Sequence, residues 1–267
     1  MHNKFSVEDF DKVKEFIYRK TGISIDFSIC YEKLQNHIEN FKDYFFKLRF
    51  DDQDGAEFQK LINLITNNET YFYREKEQFE VFIRHILPSL HETIPEKKPI
   101  KILCAPCSSG EEAYTILIHI IENSSILKHR DIQITAIDID SDIIEKAKKS
   151  VYTEKSIRNI PEEILNKYFT KDGHNYFLEK ELKKYVHFDV VNVFDKKRML
   201  ELGKFDVIFS RNMFIYFDEM SRKEVANTFY DLLNKNGFVI LGNAEQMSRI
   251  TSIYSSSKVD DVFVHKK

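Results

Sequence analysis

The chain lacks most features that narrow a function quickly. It has three cysteines, Cys30, Cys104 and Cys107, too few and too unevenly placed for a disulfide framework. Cys104-x-x-Cys107 stands alone, with no second pair to complete a zinc site, and both residues read as small loop-packing groups rather than a redox pair. No apolar run reaches the roughly 18 residues of a membrane-spanning helix, and no secretory leader is evident, so a cytoplasmic protein without membrane insertion is expected. Lys and Arg number 40 against 43 Asp and Glu, a net charge of −3, which gives no general affinity for nucleic acid or an anionic membrane. There is no Ser/His/Asp set and no metal-ligand spacing, so neither a base-activated nucleophile nor a metal is expected. Finally, the loop best placed to bind a nucleotide has one glycine, Gly110, where G-x-G-x-x-G has three.

That loop lies in Lys101–Tyr114, KILCAPCSSGEEAY. An apolar strand runs to Cys104, a turn of small residues follows, and Glu111 begins a helix. Strand, tight loop and helix form the opening unit of a nucleotide-type α/β fold, whose ligands sit beyond the carboxyl ends of the strands. Two carboxylates at the helix start would repel a phosphate, which needs bare N–H groups and positive potential there. Glu111 would instead attract a cationic ligand or accept hydrogen bonds from a ribose. S-adenosylmethionine has no phosphate and carries a sulfonium and an ammonium, so it suits this inverted electrostatics. The same residues read equally as an ordinary helix start, with Ser108 or Ser109 as N-cap and acids in the first turn.

With 267 residues, 42% hydrophobic, the chain can build one large domain or two small ones. Residues 6–90 read as helical. Phe10, Val13, Phe16 and Ile17 keep helical spacing and Thr21-Gly22 closes that helix. Tyr31–Phe50 reads as one long amphipathic helix, Phe58–Ile65 as a third and Lys76–His91 as a fourth, with Asn68–Glu75 interrupting the pattern. Pro95 and Pro99 mark a linker, which places a helical domain at 1–92 and an α/β domain at 93–267. A second strand, Ile132–Ile137, ends at Asp138, where nucleotide-type folds keep an acid for ribose hydroxyls. Val151–Lys184 breaks the strand–helix rhythm, and its Asp172-Gly173 suggests a hairpin inside an insertion that stays clear of the cofactor site. Strands then resume at Tyr185–Val190, Phe205–Ser210 and Phe238–Gly242, and the tail supplies one more pair. The fold class expected is α/β, a doubly wound sheet whose strand ends gather Gly110, Asp138, Asn192 and Arg211-Asn212.

Several stretches together resemble a known family. They are Asn68-Glu69-Thr70-Tyr71-Phe72-Tyr73-Arg74-Glu75, the Cys104–Tyr114 loop, Asp138-Ile139-Asp140, and Phe205 to Asp218, FDVIFSRNMFIYFD. In this order, over nearly the whole chain, they resemble the CheR-type protein-glutamate O-methyltransferases of bacterial chemotaxis. The resemblance implies a Rossmann-like class I methyltransferase domain with a small β-subdomain at about 151–184, preceded by an all-α domain. It implies methylation of glutamates on the cytoplasmic helical domain of methyl-accepting chemotaxis receptors; the chain itself is expected to be a monomer. It assigns Asn68, Thr70, Arg74, Glu111, Asp138, Asn192, Val193, Arg211 and Asn212 to S-adenosylmethionine and the reaction pocket, and sets Arg74 and Tyr216 at the transferring methyl. One departure concerns docking. The Tyr31–Phe50 stretch, basic in the family, carries a net of only +1 here, and residues 1–90 hold 13 Lys/Arg against 16 Asp/Glu. Strong steering toward an anionic partner is not expected.

Transfer from a sulfonium is an in-line displacement, and a glutamate with pKa near 4.3 is already ionised at neutral pH. No base is then needed, and catalysis rests on positioning and desolvation. Arg74 suits a planar, bidentate hold on a carboxylate. The alternatives are a sensor that binds the cofactor or its product without receptor methylation, and a small-molecule methyltransferase.

Overall fold

The computed structural model describes residues 5–126 and 130–267. Its first helix, α1 (Val7–Thr21), starts at a reciprocal cap between Ser6 and Asp9 and stops at Gly22, whose φ of 69° lies in the left-handed region. α2 (Phe27–His37) and α3 (Phe41–Phe46) replace the single long helix expected over Tyr31–Phe50. The chain turns extended at Ile38, and Asn40 accepts the N–H groups of Lys42 and Asp43 at 3.1 and 3.4 Å, which starts a new helix. Asn competes for backbone groups inside a helix and caps one well, so it wins locally. Leu34, Ile38, Phe41 and Leu48 are buried in spite of the break, which is why the spacing reads as continuous. α4 (Ala56–Ile65) follows as expected. α5 (Lys76–Val81) passes through a wide turn, Phe82–Ile86, into α6 (Leu87–Thr93), with Pro88 in the first turn of α6 where its missing N–H is tolerated.

The α/β part begins with β1 (Ile100–Cys104), α7 (Glu111–Asn123), β2 (Ile132–Asp138) and α8 (Ser141–Lys149). The insertion holds β3 (Val151–Thr153), α9 (Glu154–Ile157), α10 (Glu162–Tyr168), β4 (Phe169–Asp172), β5 (Asn175–Leu178) and α11 (Lys180–Lys183). Then come β6 (Val186–Val190), α12 (Lys196–Glu201), β7 (Phe205–Ser210), α13 (Glu219–Leu232), β8 (Leu233–Leu241), β9 (Ser255–Val259) and β10 (Val262–Lys266). The seven-stranded sheet runs β6-β2-β1-β7-β8-β10-β9. Its first five strands pair in parallel, while β10 lies antiparallel to both β8 and β9. β7 is buried at every position, as a central strand covered on both faces must be. The sequence order reverses between β1 and β7, so the ligand crevice belongs beyond their carboxyl ends. β3, β5 and β4 form a separate antiparallel sheet, with β4 and β5 joined at Asp172-Gly173 as expected.

The N-terminal helices sit on those carboxyl ends. Ser24 N donates to Tyr216 O at 2.9 Å, the Asn192 amide donates to Lys20 O at 2.8 Å, and the Tyr18 hydroxyl donates to Asp218 at 2.6 Å. From α4, the Gln59 amide donates to Ile139 O at 2.8 Å. Among the described residues no helix is long and apolar enough to cross a membrane.

Candidate active site

A cavity of about 370 Å³ opens where β1, β2, β6 and β7 end. It falls in the size range of small-molecule sites. Nine of the sequence-predicted residues line it: Asn68, Thr70, Arg74, Asp138, Asn192, Val193, Arg211, Asn212 and Tyr216.

Asp138 ends β2 and is buried. Its carboxylate accepts Ser108 N–H at 2.9 Å and Asp140 N–H at 3.1 Å. Burial raises its pKa to about 6; the two N–H bonds pull the other way but do not cancel burial. Asp140 caps α8, accepting the N–H groups of Asp142 and Ile143 at 2.9 and 3.0 Å. Its second oxygen takes the Asn68 amide and the Thr66 hydroxyl, each at 2.6 Å. Asn68 O also accepts the Ser108 hydroxyl at 3.2 Å, so the 66–75 loop is stitched to the ends of both β1 and β2.

Glu111 is not among the lining residues. It is buried against the Ser109 hydroxyl at 2.7 Å, and burial raises its pKa. The neighbouring Glu112 faces the cavity instead. Successive helical residues lie about 100° apart, so only one of two adjacent acids can point inward. The helix cap is likewise Gly110, at φ 92°, and not Ser108 or Ser109.

Arg211 is the most heavily committed group. Its guanidinium meets Glu112 at 2.8 Å and Glu75 at 3.3 Å, and donates to Arg74 O. It lies 4.8 Å over the Phe79 ring with its side chain almost fully covered. Burial raises the Glu112 pKa more than Arg211 lowers it, whereas at Glu75 Arg211 and nearby hydrogen bonds outweigh burial. Asn212, at φ 57°, places its amide 3.4 Å from Glu75. Arg74 differs from Arg211: among the described residues it pairs with no carboxylate, and it donates to Glu69 O at 2.9 Å. Asn192 uses its amide on Lys20 and its oxygen on Phe194 N–H at 3.0 Å. Tyr216 is partly exposed, its hydroxyl 3.5 Å from the Asn67 amide.

Sequence reasoning misses part of the wall. Ile23 to Asp26, Ile29 and Cys30 close the cavity from the N-terminal side, with Pro106, Cys107, Ser108 and Phe79 from the sheet side. It also misses Glu245, whose buried carboxylate accepts the N–H groups of Asn212, Phe214 and Gly242 at 2.8, 2.7 and 3.0 Å and so shapes the loop after β7. Burial lifts the Cys104 and Cys107 thiols well above their usual range, which leaves no thiolate nucleophile at neutral pH.

The residues fit S-adenosylmethionine. Carboxylates of Asp26, Glu69, Glu112 and Asp138 outnumber the two guanidinium groups in the wall, which favours a cationic ligand. One buried acceptor, Glu112 Oε1, has no hydrogen-bond partner among the described residues. A doubly wound sheet with this strand order, carrying such a site at its switch point, defines an S-adenosylmethionine-dependent methyltransferase. Residues 68–263 match the family described as CheR methyltransferase, SAM binding domain, and the chain belongs to that family. It is 40% identical over 256 residues to chemotaxis protein methyltransferase 2 of Vibrio cholerae, covering 92% of this chain and 88% of that one. It is 32% identical to the chemotaxis protein methyltransferase of Borreliella burgdorferi, over 91% of this chain and 92% of that one. The Escherichia coli protein of the same name is 27% identical over 90% and 85% of the two chains.

Proposed function

We propose that this enzyme methylates glutamate side chains on the cytoplasmic helical domain of chemotaxis receptors, giving glutamate methyl esters. The observation that carries the reading is Arg74, a guanidinium in a cavity wall that the described carboxylates leave unpaired. The cofactor supplies a methyl group activated by the sulfonium. Asp138 accepts ribose hydroxyls, and Glu112, through its orphaned oxygen, receives a cationic part of the cofactor. Arg74 holds the acceptor carboxylate in its planar fork and aims one oxygen, and the Tyr216 hydroxyl orients the acceptor beside it. No group has to take a proton, because the acceptor is already an anion. The helices up to about residue 65, which share a core of their own, serve as the receptor-facing part. The transferase part starts near Asn68 rather than at 93, because Phe72 and the buried side chains of α5 and α6 pack into the core of the sheet. The names of the Vibrio, Borreliella and Escherichia relatives support this reading.

The product decides it. Incubation with methyl-labelled cofactor and a receptor cytoplasmic fragment should give a methyl group that mild alkali releases as methanol. An alkali-stable product would overturn the reading in favour of N-methylation or ether formation.

Asp138 gives a second expectation. Asp138→Ala should weaken S-adenosylhomocysteine binding by about 1–3 kcal/mol, the usual loss for charged hydrogen bonds. In the wild type the affinity should be level above neutrality and decline below the Asp138 pKa of about 6, where the acceptor becomes protonated. Stability follows the opposite sign. The pKa is raised on folding, so the contribution of Asp138 is greatest below the unfolded value of 3.8 and is lost as pH rises through about 6. Calorimetry from pH 5 to 8 checks both, and unchanged affinity in Asp138→Ala would remove the assignment.

A further inference from the structure

The inserted subdomain contributes no wall residue to the cavity, yet it is joined to the loop that does. Phe72 N–H donates to Ser156 O at 2.9 Å, and the Phe72 ring packs edge-on against Tyr152 and Phe169, with centroids 4.7 and 5.3 Å away. Beside this joint, Tyr71 lies in the cavity wall with two guanidinium groups on its ring. Arg74 is 5.7 Å from the ring centroid and Arg158, from the turn after α9, is 3.9 Å from it. Arg158 is exposed, and among the described residues neither arginine pairs with a carboxylate. Arg49, Arg130, Arg222 and Arg249 also lack an acidic partner within 4.0 Å among the described residues, so what sets Arg74 and Arg158 apart is that they share one aromatic ring in the cavity wall.

We propose that Arg158 is an acceptor-positioning residue, a second cation by which the insertion receives the anionic segment that presents its glutamate to Arg74. A guanidinium held over an aromatic ring by cation–π attraction has already given up part of its freedom, and with no carboxylate partner its N–H groups remain available to an anion. Two unpaired guanidinium groups on one ring repel each other, and an incoming carboxylate relieves that repulsion. Tyr71 thus extends the positive potential of the site from Arg74, in the cavity, to an exposed point on the insertion. The N-terminal helices carry no cationic excess, with 13 basic against 16 acidic residues in 1–90, so a basic helix face does not supply the attraction that this local pair can. The inference rests on the acceptor being a protein carboxylate, as proposed above.

The test is steady-state transfer to a cytoplasmic fragment of a methyl-accepting chemotaxis receptor by the full chain, with S-adenosylhomocysteine affinity measured in parallel. Arg158→Gln should raise KM for the fragment about tenfold, the size expected from one lost charge-assisted contact, while kcat and S-adenosylhomocysteine affinity hold. Arg158→Lys should recover part of that loss, and the wild-type KM should rise with salt more steeply than that of Arg158→Gln. If Arg158 merely propped Tyr71, Arg158→Gln would lower kcat and cofactor affinity together, which overturns the proposal. An unchanged KM in a wild type that does form methyl ester overturns it while leaving the function in place. Absence of any alkali-labile product from the wild type strikes the function itself.

Discussion

Arg74→Ala is expected to lower methyl transfer by about a hundredfold or more, while the melting temperature and S-adenosylhomocysteine affinity stay near those of the wild type. Positioning of a reacting pair can supply several kcal/mol of the barrier, and Arg74 is the wall group free to do it. Arg211 cannot substitute, because Glu75, Glu112 and the Arg74 carbonyl already occupy it. Arg74→Lys should recover little, since a point charge cannot reproduce a planar fork. The pH profile separates this account from base catalysis. At saturating cofactor the wild-type rate should be nearly flat from about pH 6 to 8.5, because the acceptor pKa lies well below that window. A rate that climbs tenfold per pH unit through neutrality would require a titrating base and would sink the account. An Arg74→Ala variant that retains turnover would also remove Arg74 from the transfer step.

The sheet is legible in the sequence because its central strands are covered on both faces and must be continuous apolar runs. Phe205–Ser210 is read to the residue, and the polar residues that follow such runs mark the cavity rim. What is illegible depends on contacts distant in sequence. Nothing in Ile23–Cys30 shows that it closes the cavity, since that follows from pairing with Tyr216 and Phe217. Glu111 and Glu112 are equivalent as letters, and only the phase of α7 against Arg211 tells them apart. The break at Asn40 hides behind buried residues that keep helical spacing across it. Glu245 does carry a faint signal, an acid just after the last parallel strand. Its hold on three N–H groups of the Arg211–Phe214 and Gly242 turns is a tertiary fact. The insertion is recognised as an interruption, but its grip on Phe72 and Tyr71 is not, because aromatic contacts between segments about 80 residues apart leave no periodic trace.

Arg211 separates a structural role from a ligand-binding one. The resemblance assigns it to S-adenosylmethionine, whereas its geometry is that of a buried charge shared by two carboxylates. Arg211→Met keeps the volume and removes the charge, leaving Glu75 and Glu112 desolvated without their partner. Breaking such a pair from one side typically costs about 3–5 kcal/mol. In a chain of this size that is a fall in melting temperature of roughly 10 °C. The sign with pH follows from Glu75. Burial opposes its ionisation, but Arg211 and the surrounding hydrogen bonds outweigh that and hold its pKa below the usual 4.5. Its share of the stability is therefore present above that value and is lost as pH falls through the lowered one, so the gap between wild type and Arg211→Met should narrow in acid. The triple variant Arg211→Met, Glu75→Gln, Glu112→Gln should regain much of the loss, because no unpaired charge remains buried. Thermal melts of the three proteins between pH 4 and 8 decide the matter. A single variant that melts like the wild type and loses only cofactor binding would make Arg211 a direct ligand after all.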